Sequence, residues 1–226
     1  MNLESTLLGG GIVATGLMSG LLYGWSVSVI PGTKRVPAGS GMGGGSSDAA
    51  TVLAVLNQLW ECGLTIDELA GLGARLGADV PVFVRGAAAW AEGVGERLTP
   101  VEALEEPWYL VLNPAVSIST GAVFSDPRLT RNAPRITILD FLSGAGGNDL
   151  QAVVAQRYPQ VGQALEWLSR FQPARMTGSG ASVFARFPDR QAAEQVMQQV
   201  PAPWTGFVAR GCNRSPLLDR LGALRG

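Results

Sequence analysis

Between Pro37 and Ala50 the chain reads Pro37-Ala38-Gly39-Ser40-Gly41-Met42-Gly43-Gly44-Gly45-Ser46-Ser47-Asp48-Ala49-Ala50. Glycines let the main chain take φ > 0 and let a ligand approach bare backbone. Ser40, Ser46 and Ser47 add hydroxyls, and Asp48 adds a carboxylate. Leu53, Leu56, Leu59 and Trp60 then follow at helical spacing, which predicts a helix over 49–60. Ser46, Ser47 or Asp48 could cap it, leaving free N–H groups and the positive end of the helix dipole facing the loop. A loop of this kind is an anion cradle, and the commonest anion in such a cradle is a phosphate. The stretch therefore reads as a site for a nucleoside triphosphate.

Two better-known phosphate loops do not fit. Gly39-x-Gly41-x-x-Gly44 satisfies G-x-G-x-x-G, but a dinucleotide site also needs an acidic residue closing a second strand roughly 20 residues on. That region is Leu59-Trp60-Glu61-Cys62-Gly63, a helix end. A Walker loop needs Gly-Lys-Ser/Thr, and no lysine follows the glycines. A plain Gly-Ser linker is disfavoured by Pro37 and by the helix that starts at once.

Composition narrows the chemistry. The 226 residues contain no histidine, which excludes a Ser-His-Asp triad, a Cys-His pair and histidine-based metal sites. Acid–base work falls to carboxylates or to the lone lysine, Lys34. Asp79 is one candidate. It follows the helix-ending Gly77 in a loop that could face a nucleotide, where a carboxylate could accept a hydroxyl proton. Equally, it could be the N-cap of Val80-Pro81-Val82. Net charge is -1 with no Lys/Arg cluster, so nucleic acid is not an expected partner. Cys62 and Cys212 match no metal or disulfide spacing, which suits a reducing, cytoplasmic setting.

The elements that must position these residues are legible in outline. Residues 5–33 carry no charge, and Leu7–Ile30 is long enough to span a bilayer. The period-two run Trp25–Val29 and the nearby ligand loop favour a buried helix and strand instead, so no membrane association is expected. Thr65 with Glu68 is a capping box opening a helix through Leu76. Ala87–Ala91 and Glu96–Leu98 read as paired strands about Gly93-Val94-Gly95. Glu102–Pro107 reads as a domain boundary, giving lobes 1–104 and 105–226. Strands follow at Trp108–Leu112, Ala181–Phe187 and Gly206–Arg210. Helices are expected at Thr120–Phe124, Asn148–Tyr158, Gln160–Phe171 and Asp189–Gln199. The six tryptophans read as core, and Asn148 as a helix cap. The pattern is α+β, with helices on one face of a mostly antiparallel sheet.

Several stretches together resemble the GHMP small-molecule kinases: Lys34–Ala50, Leu76–Phe83, Ala91–Glu96, Asn148-Asp149-Leu150 and Arg175–Ala181, in that family's order. The resemblance covers roughly residues 34–217 and is specific because the motifs coincide. It implies a GHMP kinase fold, with a ribosomal-protein-S5-like N-terminal lobe and a ferredoxin-like C-terminal lobe. It further implies ATP wrapped by Pro37, Ala38, Gly39, Ser40, Gly41, Met42, Gly43, Gly44, Gly45, Ser46 and Ser47, with Ser47 helping to hold Mg²⁺. Asp79 matches the family's catalytic aspartate, which orients or deprotonates the attacking hydroxyl. Thr177, Gly178, Ser179 and Gly180 would close over the substrate side and support the first loop.

The form Gly43–Ala50 is similar to the branch of the family that phosphorylates the 2-hydroxyl of a cytidine-diphosphate-linked methylerythritol in non-mevalonate isoprenoid biosynthesis. That acceptor is the implied small-molecule partner, and the protein would be a monomer or homodimer. The family also carries a lysine on an early strand, paired with the catalytic aspartate, and a nearby histidine. Neither has a counterpart here, since Lys34 matches the lysine just before the loop. The N-terminal lobe is therefore expected to be incomplete. Two alternatives stand beside catalysis: an ATP-binding protein without turnover, and a kinase for another small alcohol.

Overall fold

The computed structural model describes residues 41–223, apart from Val94, Glu96, Glu102, Ala103, Arg135 and Gly144. The expectations for residues 5–36 and for Pro37–Ser40 lie outside the described residues. Among those described, no helix is long and apolar enough to cross a membrane.

Three helices open the described chain: α1 (Gly44–Leu59), α2 (Ile66–Leu76) and α3 (Val80–Arg85). They pack on one another around Ala50, Leu69, Ala70, Val80, Phe83 and Val84. The expected capping box starts α2: Thr65 accepts from the Glu68 N–H, and the Glu68 carboxylate accepts from the Thr65 N–H at 2.8 Å. Gly73 lets α2 sit close on α3, because a Cβ there would lie 2.8 Å from Val80 Cγ1. A small antiparallel pair follows, β1 (Ala89–Glu92) and β2 (Arg97–Pro100).

The second half is built on a four-stranded sheet. Its strands are β3 (Trp108–Asn113), β4 (Ala174–Met176), β5 (Val183–Phe187) and β6 (Thr205–Arg210), in the order β4-β5-β3-β6. Every neighbouring pair is antiparallel, with Leu110 opposite Ala185 on one side and Val208 on the other. Helices α4 (Thr120–Phe124), α5 (Ile138–Leu142), α6 (Asp149–Arg157) and α7 (Pro159–Ser169) lie between β3 and β4, and α8 (Arg190–Met197) between β5 and β6. This split βαβ arrangement is ferredoxin-like, as expected. Period-two alternation decides which residues face the helices. Leu110 and Leu112 of β3, with Val183, Ala185 and Phe187 of β5, join Val154, Val161, Leu165, Leu168 and Val196 in the main core.

A last helix, α9 (Pro216–Ala223), turns back toward the first half. Leu218 lies against Gly86, and Ala88 N–H donates to the Asn213 carbonyl.

Four expectations need correction. The first helix starts at Gly44, well before Ala49, so Ser46, Ser47 and Asp48 lie inside it and cap nothing. Helices α5 and α9 were not anticipated. The start of α5 is a capping box with Asp140 in the place usually held by Glu or Gln, so the usual signature is absent. The tryptophans are core only in part: Trp60 is exposed, Trp90 and Trp108 are half-buried, Trp167 and Trp204 are half-buried but pack against the main core, and Trp25 lies outside the described residues.

Candidate nucleotide site

Gly41 is the first described residue of the glycine loop, and it shows why the loop needs glycine. Its φ is +69°, and a Cβ on it would come 2.6 Å from the Thr177 carbonyl oxygen and 2.7 Å from that of Gly180. On the other side, a Cβ on Gly178 would lie 3.0 Å from the Gly41 carbonyl oxygen. The two glycine loops expected from the sequence therefore touch, backbone against backbone.

Met42 fastens the first loop to the second half of the protein. Its side chain is buried against Val111 and Ala209, with Tyr109, Phe184 and Phe207 packed around them. This is the face of the sheet opposite the helices. The Met42 side chain is thus an anchor, and only its main chain is left for a ligand.

Gly43 then takes the left-handed conformation at the N-cap of α1, with no side-chain cap bond. Ser47 N–H donates to the Gly43 carbonyl at 2.9 Å, so helical bonding begins among the glycines themselves. No acidic residue stands in the first turn to offset the positive end of α1. Gly45 has open space where a Cβ would be. Ser47 is fully buried. Its carbonyl accepts from the Thr51 hydroxyl at 2.9 Å, while its own Oγ has no hydrogen-bond partner. Of the remaining predicted loop residues, Gly44 and Ser46 are half-buried at the helix start, and Pro37, Ala38, Gly39 and Ser40 lie outside the described residues.

The segment between α2 and α3 runs beside this helix start. A Cβ on Gly77 would lie 3.9 Å from Ser46 Oγ, and one on Gly95 would lie 3.3 Å from the Ala78 carbonyl oxygen. Asp79 follows, half-buried, at the N-cap position of α3. Its backbone is αR (φ −85°, ψ −12°), and its side chain makes no capping hydrogen bond. Burial pushes its carboxyl above the ordinary carboxylate range. The carboxylate is thus not occupied by the cap role that the sequence left open.

The second loop is held from several sides. Thr177 is buried, and its N–H and hydroxyl both donate to the Ser182 carbonyl, at 2.9 and 3.1 Å. Gly180 N–H donates to the Thr177 carbonyl at 2.7 Å. The Ser179 and Thr120 hydroxyls are 3.0 Å apart. The Asn148 side-chain amide donates to the carbonyls of Met176 (3.1 Å) and Gly178 (2.7 Å), and Gln151 Oε1 accepts from Met176 N–H at 2.8 Å. Sequence reasoning found Asn148 as a cap, and its Oδ1 does accept from Leu150 N–H. That its amide also reaches strand β4 depends on the fold and leaves no local signature.

The described part of the candidate site thus holds the positive end of α1, a bare backbone loop, a half-buried carboxylate and a bracing loop. The family model for the N-terminal domain of GHMP kinases matches residues 16–87, and that for their C-terminal domain matches residues 131–206. The chain is 56% identical over 188 residues to a 4-diphosphocytidyl-2-C-methyl-D-erythritol kinase of Nitrosococcus oceani, covering 83% of this chain and 67% of the relative. It is 55% identical to the protein of that name from Shewanella pealeana, covering 83% of this chain and 66% of the relative. The chain spans about two thirds of the length of these curated relatives. A crystal structure of a 4-(cytidine 5'-diphospho)-2C-methyl-D-erythritol kinase superposes with a TM-score of 0.69 at 29% identity, over 78% of this chain and 68% of that one. Sequence, fold and the meeting of its two glycine loops agree that the chain belongs to the GHMP kinases, in the 4-diphosphocytidyl-2-C-methyl-D-erythritol kinase family.

Proposed function

We propose that the protein transfers the γ-phosphoryl group of ATP to the 2-hydroxyl of 4-diphosphocytidyl-2-C-methyl-D-erythritol. The observation that carries this reading is the meeting of Gly41 with the Thr177–Gly180 loop at the start of α1, with the segment that leads into Asp79 running beside that helix start at Gly77. Phosphoryl transfer asks mainly for positioning and charge stabilisation. Backbone N–H groups of the loop and of the first turn of α1 bind the phosphate oxygens. Glycines keep that backbone open to the ligand, and the Thr177–Gly180 loop fixes its shape. Asp79 orients the acceptor hydroxyl and takes its proton. Burial raises its proton affinity toward what a general base at neutral pH needs.

The donor set bears on magnesium. No group of three or more His, Cys, Asp or Glu residues among those described could hold a metal ion. Mg²⁺ in phosphoryl-transfer sites is held by one or two protein oxygens, waters and substrate phosphates. The buried, unpartnered Ser47 hydroxyl fits one such oxygen. Mg²⁺ there would neutralise charge on the transferring phosphates. A cytoplasmic setting suits the free Cys62 and Cys212 thiols.

A second reading is ATP binding without turnover. It is favoured by one observation: Asp79 has no ion-pair partner among the described residues, whereas the family's aspartate has a lysine. An ADP-release assay with the cytidyl acceptor, run beside a nucleotide-binding titration, separates the two. Acceptor-dependent ADP release supports the kinase. Nucleotide binding with no release supports the binding protein.

A further inference from the structure

We propose that Asn148 is a positioning residue for nucleotide binding, setting the shape of the loop that braces Gly41. This rests on the reading of Gly41–Ser47 as the ATP loop. Asn148 stands at the N-cap of α6 and uses both ends of its amide. Its oxygen accepts from Leu150 N–H at 3.0 Å, which is the cap. Its NH₂ group donates to two carbonyls across the sheet edge, Met176 at 3.1 Å and Gly178 at 2.7 Å. An amide can do both at once, since it carries two donors and an acceptor.

The two carbonyls bracket Thr177, where the chain leaves β4. With both tied, the loop stands at the height where Gly178 meets the Gly41 carbonyl and Thr177 and Gly180 meet the Gly41 α-carbon. Gln151, one turn further along α6, takes the Met176 N–H and keeps β4 in line. Gly41 has no side chain of its own to fix its backbone. Its left-handed conformation is enforced by this contact and by the burial of Met42 next door. A bound triphosphate needs the N–H groups of that backbone preorganised, so loosening Asn148 must show as lost affinity for nucleotide.

Two substitutions separate this role from the cap. Asn148→Asp and Asn148→Ser both retain an oxygen that can accept from Leu150 N–H. Neither can donate to the Met176 and Gly178 carbonyls as the amide does. Aspartate would also set a negative charge against them, and serine is too short to reach. The measurement is titration with a fluorescent ATP analogue, with Tm recorded on the same samples. Both variants should bind about tenfold or more weakly, the size expected for two lost hydrogen bonds, while staying folded at the assay temperature. Wild-type affinity in both variants would overturn the role of Asn148 and leave the ATP site standing. Affinity that falls only in step with the unfolded fraction would also overturn it, because the residue would then be a cap alone. Absence of binding by the wild-type chain would overturn the ATP reading itself, and this inference with it.

Discussion

Two aspartates show how far environment sets a residue's chemistry. Asp79 is half-buried, makes no cap bond and has its carboxyl pushed up by desolvation. The Asp126 side chain is almost fully buried, yet its carboxyl is held well below the usual range. Arg128 grips it through N–H, Nε and Nη2 at 3.0, 2.9 and 2.7 Å, and Arg157 approaches at 3.5 Å. Linkage gives the two opposite signs. The raised Asp79 favours the folded state fully only below its unfolded pKa, and that contribution is lost as pH rises through its folded value. Asp79→Asn should therefore be at least as stable as wild type at neutral pH, with the comparison turning toward wild type as the solution is acidified. Its turnover should fall by about 10²–10⁴-fold, as for loss of a general base, with nucleotide affinity nearly unchanged. Thermal scans against pH and steady-state kinetics check both parts. Equal loss of affinity and turnover would mark Asp79 as structural. Asp126→Asn should behave the other way. It should lower Tm at neutral pH, with the gap closing as pH falls below about 4 and through the depressed Asp126 value. A gap that ignores pH would show that the charge is not what matters there.

Among the elements, legibility followed the reach of the physics. The α2 capping box is local, four residues long, and was plain in the sequence. So were the strands β3 and β5, expected at Trp108–Leu112 and Ala181–Phe187, because short apolar runs need only neighbouring residues to be seen. The start of α1 was misplaced because local rules penalise it. Glycine costs about 1 kcal/mol relative to alanine inside a helix, and the apolar spacing that marks this helix begins only at Leu53. What overrides the penalty is tertiary. Met42 is buried on the sheet just before the helix, and Ser47 is buried within it. Those contacts hold the glycines in helical register and thereby set the backbone donors where the phosphates are expected. Met42→Ala tests this. Truncating a buried methionine costs about 2–5 kcal/mol, so Tm should drop clearly. Nucleotide affinity should fall too, measured at a temperature where the variant remains folded. If stability drops and affinity does not, the anchor supports the fold but not the loop.

At the scale of the molecule, the site is a place where distant parts of the chain meet. Gly41 lies at the start of the described chain, and Thr177–Gly180 enters from the hinge between β4 and β5. Either loop alone is only a glycine turn in the sequence, and no local pattern says that the two touch. The family resemblance supplied that relation, and the folded chain gives its mechanism: backbone contact on one side, Asn148 and Thr120 on the other. One consequence can be measured by amide hydrogen exchange. A ligand that binds only the folded state stabilises it by about 2.7 kcal/mol at a hundredfold excess over Kd. That stabilisation slows exchange through global unfolding everywhere, but local opening responds only where the ligand restrains it. An ATP analogue should therefore slow exchange at the Gly43–Ser47 amides and, to a similar degree, at Gly178 and Ser179, although the second loop is remote in sequence. Helix α8, on the opposite face of the sheet, should change only as global stability changes. Protection confined to Gly43–Ser47 would mean that the second loop frames the first without sharing its restraint, and the coupling argued from Gly41 would fail. Protection of both loops, reduced at the second by Asn148→Ser, would show that the brace and the phosphate cradle close as one unit.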